Sequence, residues 1–281
     1  MLASEFLLSP ATENYLINLF NSVYMAILII FGSKTDEKTY NEIAKVLKKN
    51  KVDFELKISS AHKTPDEVDK LLSKDYSLII AGAGLAAHLP GVCAARTIKP
   101  VIGVPCKGNY QGLDALLSIA QMPPGIPVLS VGVDKGEAAA LNAVIMLKKY
   151  ENVTIIGDRD NDASKKCIET LRKFGIPSKY SDNPDSKSIN IEFTYFDEPI
   201  EKKDELVIYC PLLMKNDDKA EASINFLKHS THGLWVGLNN GINAAIAAVE
   251  ILNTDNSYEE PLLQYRRDMA EKIRKDNKEM G

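Results

Sequence analysis

A chain of 281 residues with 45% hydrophobic, 26% charged and 7% aromatic residues has an ordinary globular composition, long enough for one large domain or two small ones. Its formal net charge of −4 gives no reason to expect nucleic acid or an anionic membrane as partner. Cys93, Cys106, Cys167 and Cys210 are far apart and form no C-x-x-C pair, so neither a disulfide framework nor a zinc site is suggested, and reduced thiols in a cytoplasm are expected.

Residues 1–24 lack a basic n-region, carry Glu5 and Glu13, and contain no uninterrupted apolar run long enough for a signal peptide or membrane span. They read as a dispensable extension or the product of a misplaced start codon. Met25 then opens an apolar strand over 25–31, which breaks at Gly32-Ser33. A helix follows with Tyr40, Ile43, Val46 and Leu47 on one face, and Asp36 and Glu37 at its positive end. Further strands are predicted at 54–58, 77–81, 100–104 and 127–133, with helices at 65–73, 86–97, 112–120 and 136–149. This alternation predicts right-handed crossovers and a parallel sheet covered on both faces. Ligands bind such sheets beyond the carboxyl ends of the strands, and Ser33, His62 and Gly82–Gly84 all follow predicted strands.

The second half restates the first. Val153–Asp158 opens like Leu28–Ser33, and the next helix buries Cys167, Ile168 and Leu171. Val131-Gly132-Val133-Asp134-Lys135-Gly136 matches Val236-Gly237-Leu238-Asn239-Asn240-Gly241, each followed by paired alanines. A tandem duplication is therefore expected, with domains at 25–150 and 151–254. The halves differ at the strand ends: the second has the turn-rich Ser181-Asp182-Asn183-Pro184-Asp185 and, after a strand at 206–209, Cys210-Pro211 instead of a glycine turn. Residues 255–281 carry an amphipathic helix over 258–280, with Leu262, Tyr265, Met269 and Ile273 on one side. It packs either on its own domain or on a neighbouring subunit.

Three segments carry chemistry. Gly32-Ser33-Lys34-Thr35-Asp36 joins a strand to a helix and presents backbone N–H groups that suit a phosphate, though most such turns bind nothing. Asp36 would repel a phosphate, so it is either a helix cap or a partner for sugar hydroxyls. His62 can donate and accept a proton in one turnover, and Lys63 beside it can neutralise a phosphate, against the bland alternative of a structural histidine. His88 caps the glycine loop or makes a secondary contact. His229 and His232 are read as surface residues, not metal ligands. No P-loop, H-E-x-x-H or G-x-S-x-G motif appears, and Gly82-Ala83-Gly84 fails as a dinucleotide fingerprint because Pro90 follows and no acidic residue stands at the required spacing.

Five motifs occur in order: Gly32-Ser33-x-x-Asp36, Ser60-Ala61-His62-Lys63-Thr64-Pro65, Ala81-Gly82-x-Gly84-x-Ala86-Ala87-His88-Leu89-Pro90-Gly91, Gly112–Ser118 and Gln121-Met122-Pro123-x-Gly125-Ile126-Pro127-Val128. Together they make residues 25–150 resemble the catalytic subunit of the phosphoribosylaminoimidazole carboxylase and 5-(carboxyamino)imidazole ribonucleotide mutase family of purine biosynthesis. The resemblance implies a three-layer flavodoxin-like α/β fold, here tandemly duplicated with a C-terminal helix, and no metal or nucleotide cofactor. It implies that the ribonucleotide is bound by Ser33, Asp36 and Lys63, with Ser60, Ala61, His88 and Leu89 around it, and that His62 shuttles the proton. Gly82, Ala83, Gly84, Ala86 and Ala87 would hold a trapped carbon dioxide. Lys63 stands where the family more often has arginine, which keeps the charge and loses the bidentate fork. The A-A-H-L-P-G loop favours a mutase over a direct carboxylase or the nicotinate-nucleotide carboxylase of the same fold. A non-catalytic nucleotide-binding assembly subunit is the rival from another class. One active site per chain is expected, in a cytoplasmic homo-oligomer, either an octamer or a tetramer of two-repeat chains.

Overall fold

The computed structural model describes residues 26–196 and 200–280, so the extension at 1–24 lies outside the described residues. The first half contains β1 (Ile27–Phe31), β2 (Phe54–Ile58), β3 (Leu78–Ala83), β4 (Val101–Pro105) and β5 (Leu129–Ser130). Between and after them run α1 (Glu37–Lys49), α2 (Pro65–Leu72), α3 (Leu89–Arg96), α4 (Leu113–Ala120) and α5 (Gly136–Met146). Every residue of β1 is buried, as a continuous apolar run in an interior parallel strand must be, whereas edge strand β2 is partly exposed. Alternate side chains of β1 enter different cores: Ile27, Ile29 and Phe31 meet Tyr40, Ile43 and Leu47 of α1, while Leu28 and Ile30 meet Val68 and Cys93 on the other face.

The second half contains β6 (Asn152–Gly157), β7 (Ser178–Tyr180), β8 (Ser188–Thr194), β9 (Val207–Pro211) and β10 (Leu234–Trp235). Its helices are α6 (Asp162–Lys173), α7 (Lys219–His229) and α8 (Gly241–Leu252), and α9 (Glu259–Glu279) closes the chain. All ten strands form one sheet in the order β2-β1-β3-β4-β5-β10-β9-β8-β6-β7. Read inward from each edge, the halves have the same strand order. Among the described residues they meet at a single antiparallel pairing, Trp235 opposite Ser130, so the carboxyl ends of the two halves face opposite ways.

The likeness of the halves extends to individual atoms. Asp134 and Asn239 follow the central strands at φ of 57° and 56°. Each sends its amide to a proline carbonyl at 2.8 Å, Pro105 and Pro211. The side chain of each accepts an amide from the segment beyond that proline, Lys107 at 3.0 Å and Leu213 at 3.1 Å. Gly132 leaves no room for a Cβ against the Ser230 carbonyl, and Gly237 leaves little against that of Ala120, so each half makes space for the helix end of the other.

Two expectations are corrected. The alternation of strand and helix is not kept throughout, because no helix occurs among the described residues between β7 and β9. The strands there carry buried polar side chains: Thr154, Ser188 and Asn190 stand where aliphatic ones are usual, and Asn190 Nδ2 donates to the Leu206 carbonyl at 3.0 Å. The helix expected over 86–97 begins only at Leu89, because Leu85 and Ala86 adopt left-handed φ values of 46° and 52°.

Helix α9 docks by its first half. Leu262 is fully buried, and Tyr265 and Met269 lie against Gly125, where a Cβ would clash. Arg266 Nη2 donates to Glu250 Oε1 of α8 at 3.1 Å, with Glu250 almost fully buried. Burial pushes the Glu250 carboxyl up to about 8, with the Arg266 charge opposing the shift. A carboxyl whose folded pKa lies above its unfolded value stabilises the fold fully below the usual 4.5, and that contribution is lost as pH rises toward 8. Urea titrations of wild type and Glu250→Gln at several pH values are therefore expected to converge at low pH and to diverge, in favour of the variant, between about 5 and 8. Arg266→Ala, which leaves the buried Glu250 oxygen without its donor, is expected to lower stability by about 1–3 kcal/mol at neutral pH.

Candidate active site

Hydrogen bonds continue the parallel ladder past the strand ends of the first half. The Gly32 amide donates to the Gly82 carbonyl at 3.2 Å, Ser59 to Phe31 at 2.9 Å, and Cys106 to Ala83 at 3.0 Å. These bonds bring the loops after β1, β2, β3 and β4 into one cleft of about 510 Å³. Its wall includes Ser33, Asp36, Ser60, Ala61, His62, Lys63, Ala83, Gly84, His88 and Leu89, all expected from the sequence.

Local chemistry shapes each loop. Ser33 Oγ accepts the Thr35 amide at 3.1 Å, which turns the chain out of β1 and leaves Ser33 half-buried on the cleft wall. The Asp36 carboxylate makes no capping bond to α1 and instead takes hydrogen bonds from Thr35 and Cys106. Burial raises its pKa, those two bonds oppose the shift, and the nearby Asp134 charge adds to it. The turn at 60–64 is knitted by its own hydroxyls: Thr64 Oγ1 accepts the Ser60 amide at 2.9 Å, and Ser60 Oγ accepts the Lys63 amide at 3.3 Å. That turn projects His62 and Lys63 outward, both exposed. The His62 and His88 rings meet edge to face, 5.0 Å between centroids. His88 thus makes no side-chain cap for α3 and faces the cleft.

Three expected site residues lie behind the cleft wall. Gly82 is buried in β3, where a Cβ would fall inside the Phe31 ring. Ala87 is buried among Leu28, Ile30 and Cys93, and the Ala86 amide turns away to the Asp114 carboxylate at 2.9 Å. The cleft also holds Lys107 and Gly108, which sequence reasoning passed over although they directly follow a predicted strand. His229 and His232 are half-buried, against Phe196 and Tyr209, rather than surface residues. Among the described residues, no cluster of three or more His, Cys, Asp or Glu is placed to hold a metal ion, and no helix is long and apolar enough to cross a membrane.

Among the described residues, the second half has no comparable set of groups at its strand ends. Asp158, the counterpart of Ser33, accepts the Tyr195 hydroxyl at 2.8 Å and the Asp160 amide at 2.9 Å. Arg159 stacks over Tyr180 at 4.6 Å. The position is filled by the chain's own side chains.

A parallel α/β sheet with an imidazole, an ammonium, a carboxylate and a hydroxyl gathered at its carboxyl edge defines an enzyme of the flavodoxin-like class. Comparison with known proteins makes the assignment specific. The family model described as AIR carboxylase matches residues 26–155. An N5-carboxyaminoimidazole ribonucleotide mutase of Methanocaldococcus jannaschii is 46% identical over 149 residues, which is 53% of this chain and 89% of that protein. The protein of the same name from Pseudomonas aeruginosa is 39% identical over 166 residues, 57% of this chain and 95% of its own length. A phosphoribosylaminoimidazole carboxylase of Candida glabrata is 43% identical over 150 residues, 52% of this chain and 25% of its own. The chain belongs to the AIR carboxylase family.

Two outcomes follow from the geometry. Gly82→Ala, which forces a methyl into the Phe31 ring, is expected to lower stability in urea melts by about 1–3 kcal/mol. Because burial raises the Asp36 pKa, its carboxylate is neutralised at higher pH than an ordinary aspartate. In an NMR pH titration the Asp36 carboxyl is therefore expected to take up its proton at higher pH than a solvent-exposed aspartate of the same chain, and Asp36→Asn to remove that titration.

Proposed function

We propose that the chain is an N5-carboxyaminoimidazole ribonucleotide mutase, moving a carboxyl group from the exocyclic nitrogen to C4 of the imidazole ring in purine biosynthesis. The observation that carries this reading is the convergence of His62, Lys63, Ser33 and Asp36 on one cleft, in the half of the chain that matches proteins of that name. A carboxylated nitrogen gives up carbon dioxide when it is protonated, and capture of the carbon by C4 leaves a proton on C4 that must be removed. One imidazole that donates and then accepts serves both steps and ends as it began. His62 lies on the cleft wall for this task, and its edge-to-face contact with His88 restricts its ring.

In the same reading Lys63 and the Ser33 turn bind the phosphate, and Asp36 accepts ribose hydroxyls. Lys107 adds a second positive charge to the cleft, suited to a phosphate that lacks the bidentate grip of an arginine at position 63. Ala83 and Gly84 border the space for carbon dioxide. The second half is a degenerate repeat that keeps the scaffold, supported by the matched Asp134 and Asn239 straps, and its filled strand-end position leaves one active site per chain. The four free cysteines are buried, which agrees with a reducing cytoplasm. Assembly into a tetramer of two-repeat chains, or an octamer, belongs to the same proposal and is read by light scattering.

Purified protein incubated with N5-carboxyaminoimidazole ribonucleotide is expected to form 4-carboxy-5-aminoimidazole ribonucleotide without ATP. Turnover only with 5-aminoimidazole ribonucleotide and bicarbonate would replace the mutase reading by direct carboxylation. His62→Asn is expected to reduce kcat by about 10²–10⁴-fold with retained ribonucleotide binding. Unchanged catalysis in that variant would remove His62 from the mechanism.

A further inference from the structure

Of the segments that carry the family resemblance, Gly112-Leu113-Asp114 has no part in the cleft. Asp114 stands in the first turn of α4, and Gly112 before it has a φ of 84° and packs against Val133. Asp114 Oδ2 accepts the Ala86 amide at 2.9 Å, across 28 residues of chain. Ala86 and Leu85 are two consecutive residues with side chains in the left-handed region, a conformation that costs each of them energy and persists only when its surroundings impose it. Leu85 itself is 71% exposed, so packing of its side chain does not hold the turn. The Asp114 bond is thus the fixed point of a strained turn whose Gly84, Leu85 and His88 line the cleft. The other carboxylate oxygen, Oδ1, is buried and has no hydrogen-bond partner among the described residues, so the bond to Ala86 is the contact that holds this half-buried side chain beneath the turn.

We infer that Asp114 is a positioning residue that clamps the Gly84–His88 turn, and that the clamped turn retains carbon dioxide during the transfer. The inference rests on the mutase reading above. In the productive course the N–C bond breaks, its electron pair stays on the nitrogen, and the nitrogen takes the proton of His62. C4 then bonds to the carbon of carbon dioxide, and the C4 proton returns to His62. If the turn opens between these steps, carbon dioxide escapes and the nucleotide leaves as 5-aminoimidazole ribonucleotide. No other reactant is needed for that failure.

The test is the partition of N5-carboxyaminoimidazole ribonucleotide in single turnovers with excess enzyme, corrected for spontaneous decarboxylation. Wild type is expected to give the C4-carboxylated product. Asp114→Ala is expected to lower kcat about tenfold, with ribonucleotide KM within about twofold of wild type, and to divert most of the substrate to 5-aminoimidazole ribonucleotide. Asp114→Asn, which keeps an acceptor oxygen, is expected to restore the wild-type partition. Asp114→Ser, with an acceptable first-turn residue too short to reach Ala86, should leak like the alanine variant and provides the reading if that variant does not fold. Wild-type rate and partition in the alanine or serine variant would overturn the inference, as would a lower kcat with unchanged partition. A wild-type enzyme that makes no C4-carboxylated product would instead refute the mutase reading itself.

Discussion

The ladder of hydrogen bonds that runs past the ends of β1, β2, β3 and β4 is the constraint on which the rest depends. Parallel strands pair in register as long as their backbones can approach, and at the critical position they approach because Gly82 stands opposite Phe31 and offers no Cβ to its ring. From that contact outward, the Gly32, Ser59 and Cys106 amides each find the carbonyl of a neighbouring strand. Four loops that are distant in sequence therefore leave the sheet side by side. The hydroxyl of Ser33, the carboxylate of Asp36 and the two imidazoles face one volume because of backbone pairing, before any ligand is present. Gly82 thus matters to the site through packing, one layer behind its surface.

The seam between the halves sets a second constraint. The β5–β10 pairing is short, Trp235 opposite Ser130, and the glycines on either side of it admit helix ends from the opposite half. Joining two parallel sheets by an antiparallel seam extends the core without adding an exposed edge at the centre. It also points the carboxyl ends of the second half away from the first. That half is free to fill its own strand ends, as Tyr195 does on Asp158, because nothing there completes the first cleft within the chain.

Much of this was legible in the sequence where the physics is local. Continuous apolar runs gave β1, β3 and β4 nearly residue for residue, since a strand buried on both faces has no polar alternation to confuse it. The carboxyl-end rule then placed Ser33, His62 and Gly84 in one cleft. What escaped were the non-local contacts. The start of α3 is delayed by a turn whose anchor, Asp114, lies 28 residues further on. The strand expected over 127–133 contracts to Leu129–Ser130, because Gly132 must pass under the Ser230 carbonyl from the other half. Of the two readings of Asp36, the helix cap is not made: its side chain makes no capping bond and lies on the cleft wall beside Cys106, which follows β4. The break in alternation between β7 and β9 goes with polar residues at buried strand positions, Ser188 and Asn190, whose partners lie elsewhere in the chain.

The most direct measurement is the stoichiometry of product binding to the intact chain. Titration calorimetry with 4-carboxy-5-aminoimidazole ribonucleotide is expected to saturate at one nucleotide per chain, and a complex structure to show it against His62, Lys63 and Asp36. Two nucleotides per chain, or a single one seated at the strand ends of the second half, would contradict the assignment of the chemistry to the first-half cleft.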